Sequence, residues 1–345
     1  MTSEILICNS NDLSRFSFDD VIIKINETKP KDVLILSFGE FALSGGNENY
    51  DFNLLNLICK KNDTTTHIIF GAQDEKYYEK INKYEKIIIH NWPTFLLHFT
   101  YAFMCPYYSN NLNNIKINKN FDKLFISYNN KPHYHRCLLI DKIFQNGLEN
   151  YGNISWCKLS DEIWSRGYYN FKNWQEKILN LDEFNETNHN DRTDFLINNN
   201  SFFFLVTESN IECEFITEKT FKPILMEQPF LCYGSKNQNS ILKNYGFKLY
   251  DNIFDYSFDS EDDLEKRAEG VIQNIKNLKG MDLNKLYEEN FDIILYNKKR
   301  AYELIIQDEY VPKIFKELCI KYDLKNNSEF IDKSYGFMKN ILKNI

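Results

Sequence analysis

Short β-branched runs, each closed by turn residues, recur along this chain at crossover spacing, and few architectures accommodate such a pattern. Asp32-Val-Leu-Ile-Leu-Ser37 reads as a buried strand, with Phe38-Gly-Glu-Phe-Ala-Leu-Ser-Gly-Gly46 as its loop. His67-Ile-Ile-Phe70 and Lys86-Ile-Ile-Ile-His90 repeat it, with a charged, helix-compatible segment between them, and Trp92-Pro93 starts a helix. Continuous apolar runs joined this way predict βαβ units and a parallel sheet. An Asn-rich stretch over 110–120 has no period and reads as a linker. The pattern restarts at Lys123-Leu-Phe-Ile-Ser127, with loop Tyr128-Asn-Asn-Lys-Pro132 and a helix from about Tyr134 to Gln145. Asn153 to Trp156, Phe202 to Val206 and Pro229 to Tyr233 read as further strands, Thr217 and Ser240 as helix starts. Asp262 to Ile345 is mostly helical and charged. The fold class is α/β, divided into a first sheet domain over 1–118, a second over 119–300 and C-terminal helices over 301–345.

With 345 residues, 43% of them apolar and 16% aromatic, the chain has material for two cores. A net charge of −8 argues against a general basic surface for nucleic acid. Met1-Thr-Ser-Glu-Ile-Leu-Ile-Cys8 has no signal-peptide form, and Phe95 to Met104 is too short and polar to span a bilayer. Eight cysteines without CxxC or Cys/His grouping fit reduced, buried thiols, so the expected location is cytoplasmic. The chain contains no Gly-x-Gly-x-x-Gly, Walker loop or Gly-x-Ser-x-Gly, which weakens dehydrogenase, ATPase and hydrolase readings.

The stretch Phe-Leu-Val-Thr-Glu-Ser-Asn-Ile-Glu-Cys-Glu-Phe-Ile-Thr-Glu-Lys-Thr-Phe-Lys-Pro-Ile, 204 to 224, places two Thr-Glu pairs between a strand end and a helix start. Ligands of open α/β sheets bind at the carboxyl ends of strands. Glu208 follows such a strand; Glu218 and Lys219 open the helix, whose terminus suits a phosphate. Lys219 adds a full charge, and a carboxylate can accept from a ribose diol. The same residues also read as ordinary capping, with Thr217 as N-cap and an acidic first turn.

The segment resembles the donor-binding region of α1,3-fucosyltransferase-type glycosyltransferases, whose motif runs Phe-Glu-Asn-Ser, a spacer, then Tyr-Val-Thr-Glu-Lys. Glu208-Ser209 stands at the first element and Phe215-Ile-Thr-Glu-Lys219 at the second, with Phe215 in place of the usual Tyr and the Asn missing. Upstream, Phe-Ile-Ser-Tyr-Asn-Asn-Lys-Pro-His-Tyr-His-Arg136 is similar to the first strand, loop and helix of that domain. The resemblance covers about Lys123 to Asp255 and implies a GT-B fold, two Rossmann-like domains facing a cleft. It implies a nucleotide diphosphate-sugar on the C-terminal domain. Arg136 and Lys219 would meet the diphosphate and Glu218 the hydroxyls, with Asn129, His135, Glu208, Ser209 and Phe215 completing the donor side. It also implies inversion at the anomeric centre, with the chain's own cations stabilising the leaving group and no metal or other cofactor.

An inverting transferase needs a carboxylate to deprotonate the acceptor hydroxyl. Glu40 and Asp74, with Glu75 beside it, follow strands of the first domain and are the candidate bases; each also reads as a solvated loop carboxylate. His133 and His135 are two apart on a helix and do not converge as metal ligands. His135 reads as a phosphate or sugar contact or as packing, and His90 as a residue facing the cleft. Asp259-Ser-Glu-Asp-Asp263 suits a helix start better than a metal motif, and Tyr256 to Asp259 reads as a cover over the donor or as packing. The expected function is sugar transfer to a glycan or lipopolysaccharide hydroxyl. The alternatives are a phage-type transferase acting on hydroxymethylated DNA bases, with Lys116, Lys119, Lys123 and Lys131 lining a groove, and an inactive nucleotide-binding scaffold.

Overall fold

A computed structural model describes residues 4–9, 18–37, 51–70, 83–92, 121–129, 132–156, 169–173, 200–211, 214–306, 310–333, 338–339 and 342. The chain divides into two compact units, 1–102 together with 303–345, and 103–302. Each has its own parallel four-stranded sheet.

The first unit orders its strands as they occur: β1 (Ile5–Asn9), β2 (Asp32–Ser37), β3 (Thr65–Phe70) and β4 (Ile87–Asn91). Register runs Ile5 to Asp32, Asp32 to Thr65 and Thr66 to Ile87. Right-handed crossovers that step in one direction place their helices on one face. Helices α1 (Phe18–Thr28) and α2 (Phe52–Asn62) accordingly meet, with Phe18 and Phe52 edge to face at 5.0 Å and Asn62 Nδ2 donating to Asn26 Oδ1 at 3.2 Å. Asp51 caps α2 by accepting from the Leu54 N–H. Val33, Leu34, Ile35 and Leu36 are fully buried, as a strand covered on both faces requires.

The C-terminal segment completes this first unit. Helix α9 (Lys313–Lys321) sets Phe315 against Trp92 at 4.9 Å, and α10 (Ser328–Lys333) adds Phe330 behind it. Lys321 Nζ and the Tyr322 hydroxyl both donate to Asp32 Oδ2, the former at 2.7 Å.

The second unit orders its strands β6 (Gly152–Ile154), β5 (Lys123–Ser127), β7 (Ser201–Thr207), β8 (Phe230–Tyr233). Strand β7 is buried at all seven positions, its three phenylalanines packing on both faces of the sheet. The order reverses at β5, whose successor β6 lies on one side and β7 on the other. A crevice opens at such a switch point beyond the carboxyl ends of the two strands. Around the sheet stand α3 (Tyr134–Gln145), α4 (Glu218–Leu225), α5 (Gln238–Asn244), α6 (Leu264–Asn277), α7 (Leu283–Glu289) and α8 (Phe291–Ile306). Gly152 faces Phe125 across the ladder, and the phenyl ring occupies the volume a β-carbon would need, 2.2 Å from it.

Candidate active site

The carboxyl ends of β5 and β7 are tied together by side chains. Thr207 Oγ1 donates to Asn129 Oδ1 at 2.8 Å, and the Asn129 amide donates to Ser127 Oγ at 3.1 Å. The Asn129 N–H donates to Ser155 Oγ at 3.0 Å, which carries the tie to the segment after β6. Arg136, 2% exposed, donates from Nη2 to the Thr207 carbonyl at 2.7 Å. His135, one residue earlier on α3, pairs through Nε2 with the Glu208 carbonyl at 2.6 Å. A carbonyl only accepts, so Nε2 carries the proton. Burial and then the Arg136 charge drive the His135 imidazole down to about 3, which keeps it neutral. The start of α3 is thus fastened to the end of β7 by two consecutive residues.

The second fastening is Glu208. This carboxylate is fully buried and accepts at Oε1 from the Thr217 N–H at 3.0 Å and the Thr220 hydroxyl at 2.8 Å. At Oε2 it accepts from the Thr217 hydroxyl at 2.7 Å. Thr217 in turn caps α4, its oxygen accepting from the Lys219 N–H at 3.3 Å. Helix N-termini present unpaired donors and a partial positive charge. Here a carboxylate from the neighbouring strand answers them, with two threonine hydroxyls as intermediaries. Lys219, half-buried, folds back so that Nζ lies 3.4 Å from Thr217 Oγ1.

Of the residues singled out from the sequence, Asn129, His135, Arg136, Glu208, Ser209 and Lys219 gather at this edge. Ser209 is half-buried just beyond β7. Phe215 is buried at 2% exposure, its carbonyl accepting from Gln238 Nε2 at 2.9 Å. Glu218 opens α4, and its side chain lies outside the described residues, as do Glu40, Asp74, Glu75, the 110–120 linker, Lys116, Lys119 and Lys131. Lys123 Nζ donates to the Asn150 carbonyl at 2.7 Å.

The acidic run after Tyr256 has a local use. Asp259 accepts from the N–H groups of Asn239 and Ser240 at 3.1 and 2.8 Å and so caps α5, while Asp263 caps α6. In the first unit His90 Nε2 lies 3.2 Å from His67 Nδ1, and His67 Nε2 lies 3.6 Å from Asp32. Burial and then the neighbouring His67 drive the His90 imidazole down to about 4. Among the described residues no His, Cys, Asp and Glu cluster has the form of a metal site, and no helix is long and apolar enough to cross a membrane.

Two residues at this edge carry no signal in the sequence. Thr220 reads as an ordinary helix residue until β7 and α4 are set side by side. Arg267 lies within Leu-Glu-Lys-Arg-Ala-Glu269, which reads as a solvated helix face, yet it is only 6% exposed.

No protein-family model matches the sequence, and no curated protein matches it. Among solved structures, a crystal structure of an α1,3-fucosyltransferase is similar over 88% of this chain and 91% of that one, at 10% identity and a TM-score of 0.38.

Proposed function

We propose that the chain is a glycosyltransferase that binds a nucleotide diphosphate-sugar at the carboxyl edge of the second sheet and transfers the sugar to an acceptor hydroxyl. The observation that carries this reading is the convergence at the β5–β7 switch point of Arg136, the start of α3 and the Lys219 end of α4. Both helix starts are fastened to the end of the same strand. An edge with two cations and two helix starts is suited to a diphosphate.

On this reading Arg136 and Lys219 meet the diphosphate and Glu218 the ribose or sugar hydroxyls. Glu208, His135 and Asn129 hold those groups in place through the hydrogen bonds described above. The acceptor oxygen attacks the anomeric carbon as the bond to the diphosphate oxygen breaks, which inverts that centre. The acceptor proton passes to a carboxylate, for which Glu40 and Asp74 are the proposed candidates. Charge grows on the leaving diphosphate as the bond opens, and fixed cations lower that barrier without reorganising. The reading includes no metal, and its acceptor is a glycan or lipopolysaccharide hydroxyl.

A thermal-shift series of the full chain with UDP, GDP, CMP, TDP and their common sugars tests it. Selective stabilisation by one diphosphate, followed by donor turnover in the presence of a glycan acceptor, is the expected result. No shift with any nucleotide at millimolar concentration would overturn it. Nucleotide binding without hydrolysis or transfer would favour a binding scaffold instead.

A further inference from the structure

We propose that Arg267 is the buried anchor of an anion site at this edge and takes a phosphoryl oxygen of the bound ligand. Arg267 is 6% exposed, and its Nε and Nη1 are buried without an acceptor among the described residues. A guanidinium keeps its proton in any protein environment, so it cannot escape burial by becoming neutral. Unmet donors on a buried charge are costly, and a chain that retains them has an acceptor to meet them with.

The surroundings define the acceptor's sign. Arg267 stands one turn after Leu264 on α6, and the Leu264 carbonyl accepts from the Tyr233 hydroxyl at 3.2 Å, so Tyr233 and Arg267 share a helix face. The Tyr233 ring lies 6.0 Å from that of His135, in the first turn of α3. Arg136 and Arg267 both bear on the His135 imidazole, which places two cations beside one helix start. The His133 N-cap adds no side-chain hydrogen bond to that start.

The described carboxylates on neighbouring elements direct their hydrogen bonds elsewhere, Asp262 bearing on Arg267 through its charge alone. Asp262 accepts from Lys236 Nζ at 2.7 Å, and Asp263 caps its own helix. Glu265 and Glu269 share Lys142 Nζ at 2.9 and 3.0 Å. Asp141 accepts from the Lys172 and Asn173 N–H groups and from Tyr169. Nη2 of Arg267 forms a two-pronged fork with either of the unmet donors, the geometry that phosphate oxygens accept.

The phosphoryl group as ligand deepens the function proposed above and rests on it; the anion site itself does not. The test uses the full chain and its Arg267→Met variant, with inorganic pyrophosphate, a nucleoside diphosphate and the bare nucleoside as probes in titration calorimetry. Pyrophosphate and the diphosphate should each bind the variant about tenfold or more weakly, with nucleoside affinity unchanged. The unliganded variant should unfold at the same or a higher temperature, because a buried charge with unmet donors has been removed. A large drop in that temperature would mean a structural acceptor already holds Arg267, and would overturn the inference. Equal pyrophosphate affinity in both proteins would overturn it too, leaving the transferase reading intact. Pyrophosphate binding that depends on Arg267, with no nucleotide binding at all, would support the anion site and remove the transferase.

Discussion

Glu208 caps a helix that it does not belong to: its carboxylate meets the Thr217 N–H at 3.0 Å and the Thr217 hydroxyl at 2.7 Å, nine residues further along the chain. This makes the end of β7 and the start of α4 one rigid corner. Glu208→Ala leaves the Thr217 and Thr220 donors buried without their acceptor, at a cost of about 3 kcal/mol or more. Urea unfolding with a reporter in the second unit should show that loss, with Glu208→Gln intermediate. Unchanged stability in Glu208→Ala would mean that the carboxylate is not the corner's fastening.

Lys219→Ala separates binding from folding. Its side chain is half-buried, and its Nζ reaches Thr217 Oγ1 at 3.4 Å. Unfolding should change less than transfer, which loses on the order of 2–4 kcal/mol of transition-state stabilisation. Single-turnover kinetics on the variant measures the second quantity. Turnover equal to the parent's would remove Lys219 from the leaving-group site.

The neutral His135 gives the second unit an acid limb. Its imidazole protonates only near pH 3 when folded, against an ordinary value of 6.5. As pH falls below 6.5 the unfolded chain takes up the proton and the folded chain does not. Stability is thus unaffected by this group above about 6.5 and declines from there toward 3. His135→Gln keeps a donor for the Glu208 carbonyl and removes the titration, so its stability should vary less between pH 7 and pH 4.5. An acid limb as steep as the parent's would assign the effect to other groups.

Gly152 is fixed by the Phe125 ring and not by backbone conformation, since its φ is an ordinary −125°. Gly152→Ala should cost about 1–3 kcal/mol through overpacking, and Phe125→Leu in the same chain should recover part of it. A double variant no more stable than Gly152→Ala alone would contradict this contact.

Much of the fold was legible because parallel strands buried on both faces leave unbroken β-branched and aromatic runs. Asp32 to Ser37 and Lys123 to Ser127 are strands with the bounds their sequences predict, and α3 runs from Tyr134 to Gln145 as expected. Strand β1 went unread because Ile-Leu-Ile-Cys is too short a run to stand out. The start of α4 was legible from Thr217. The role of Glu208 was not, because the donors that consume it come into reach only when two elements are packed side by side. Arg267 was hidden for a related reason: the charges on either side of it pair with Lys142 and with the helix backbone, which no pattern of spacing reveals.

The ion pair between Lys321 and Asp32 joins residues 289 positions apart. During synthesis at roughly 5–20 residues per second, Asp32 waits about a quarter of a minute to a minute for its partner. The second unit, continuous from 103 to 302, has left the ribosome whole by then. The last-made residues, 303–345, belong to the first unit, so that unit has all its parts only after the second is whole.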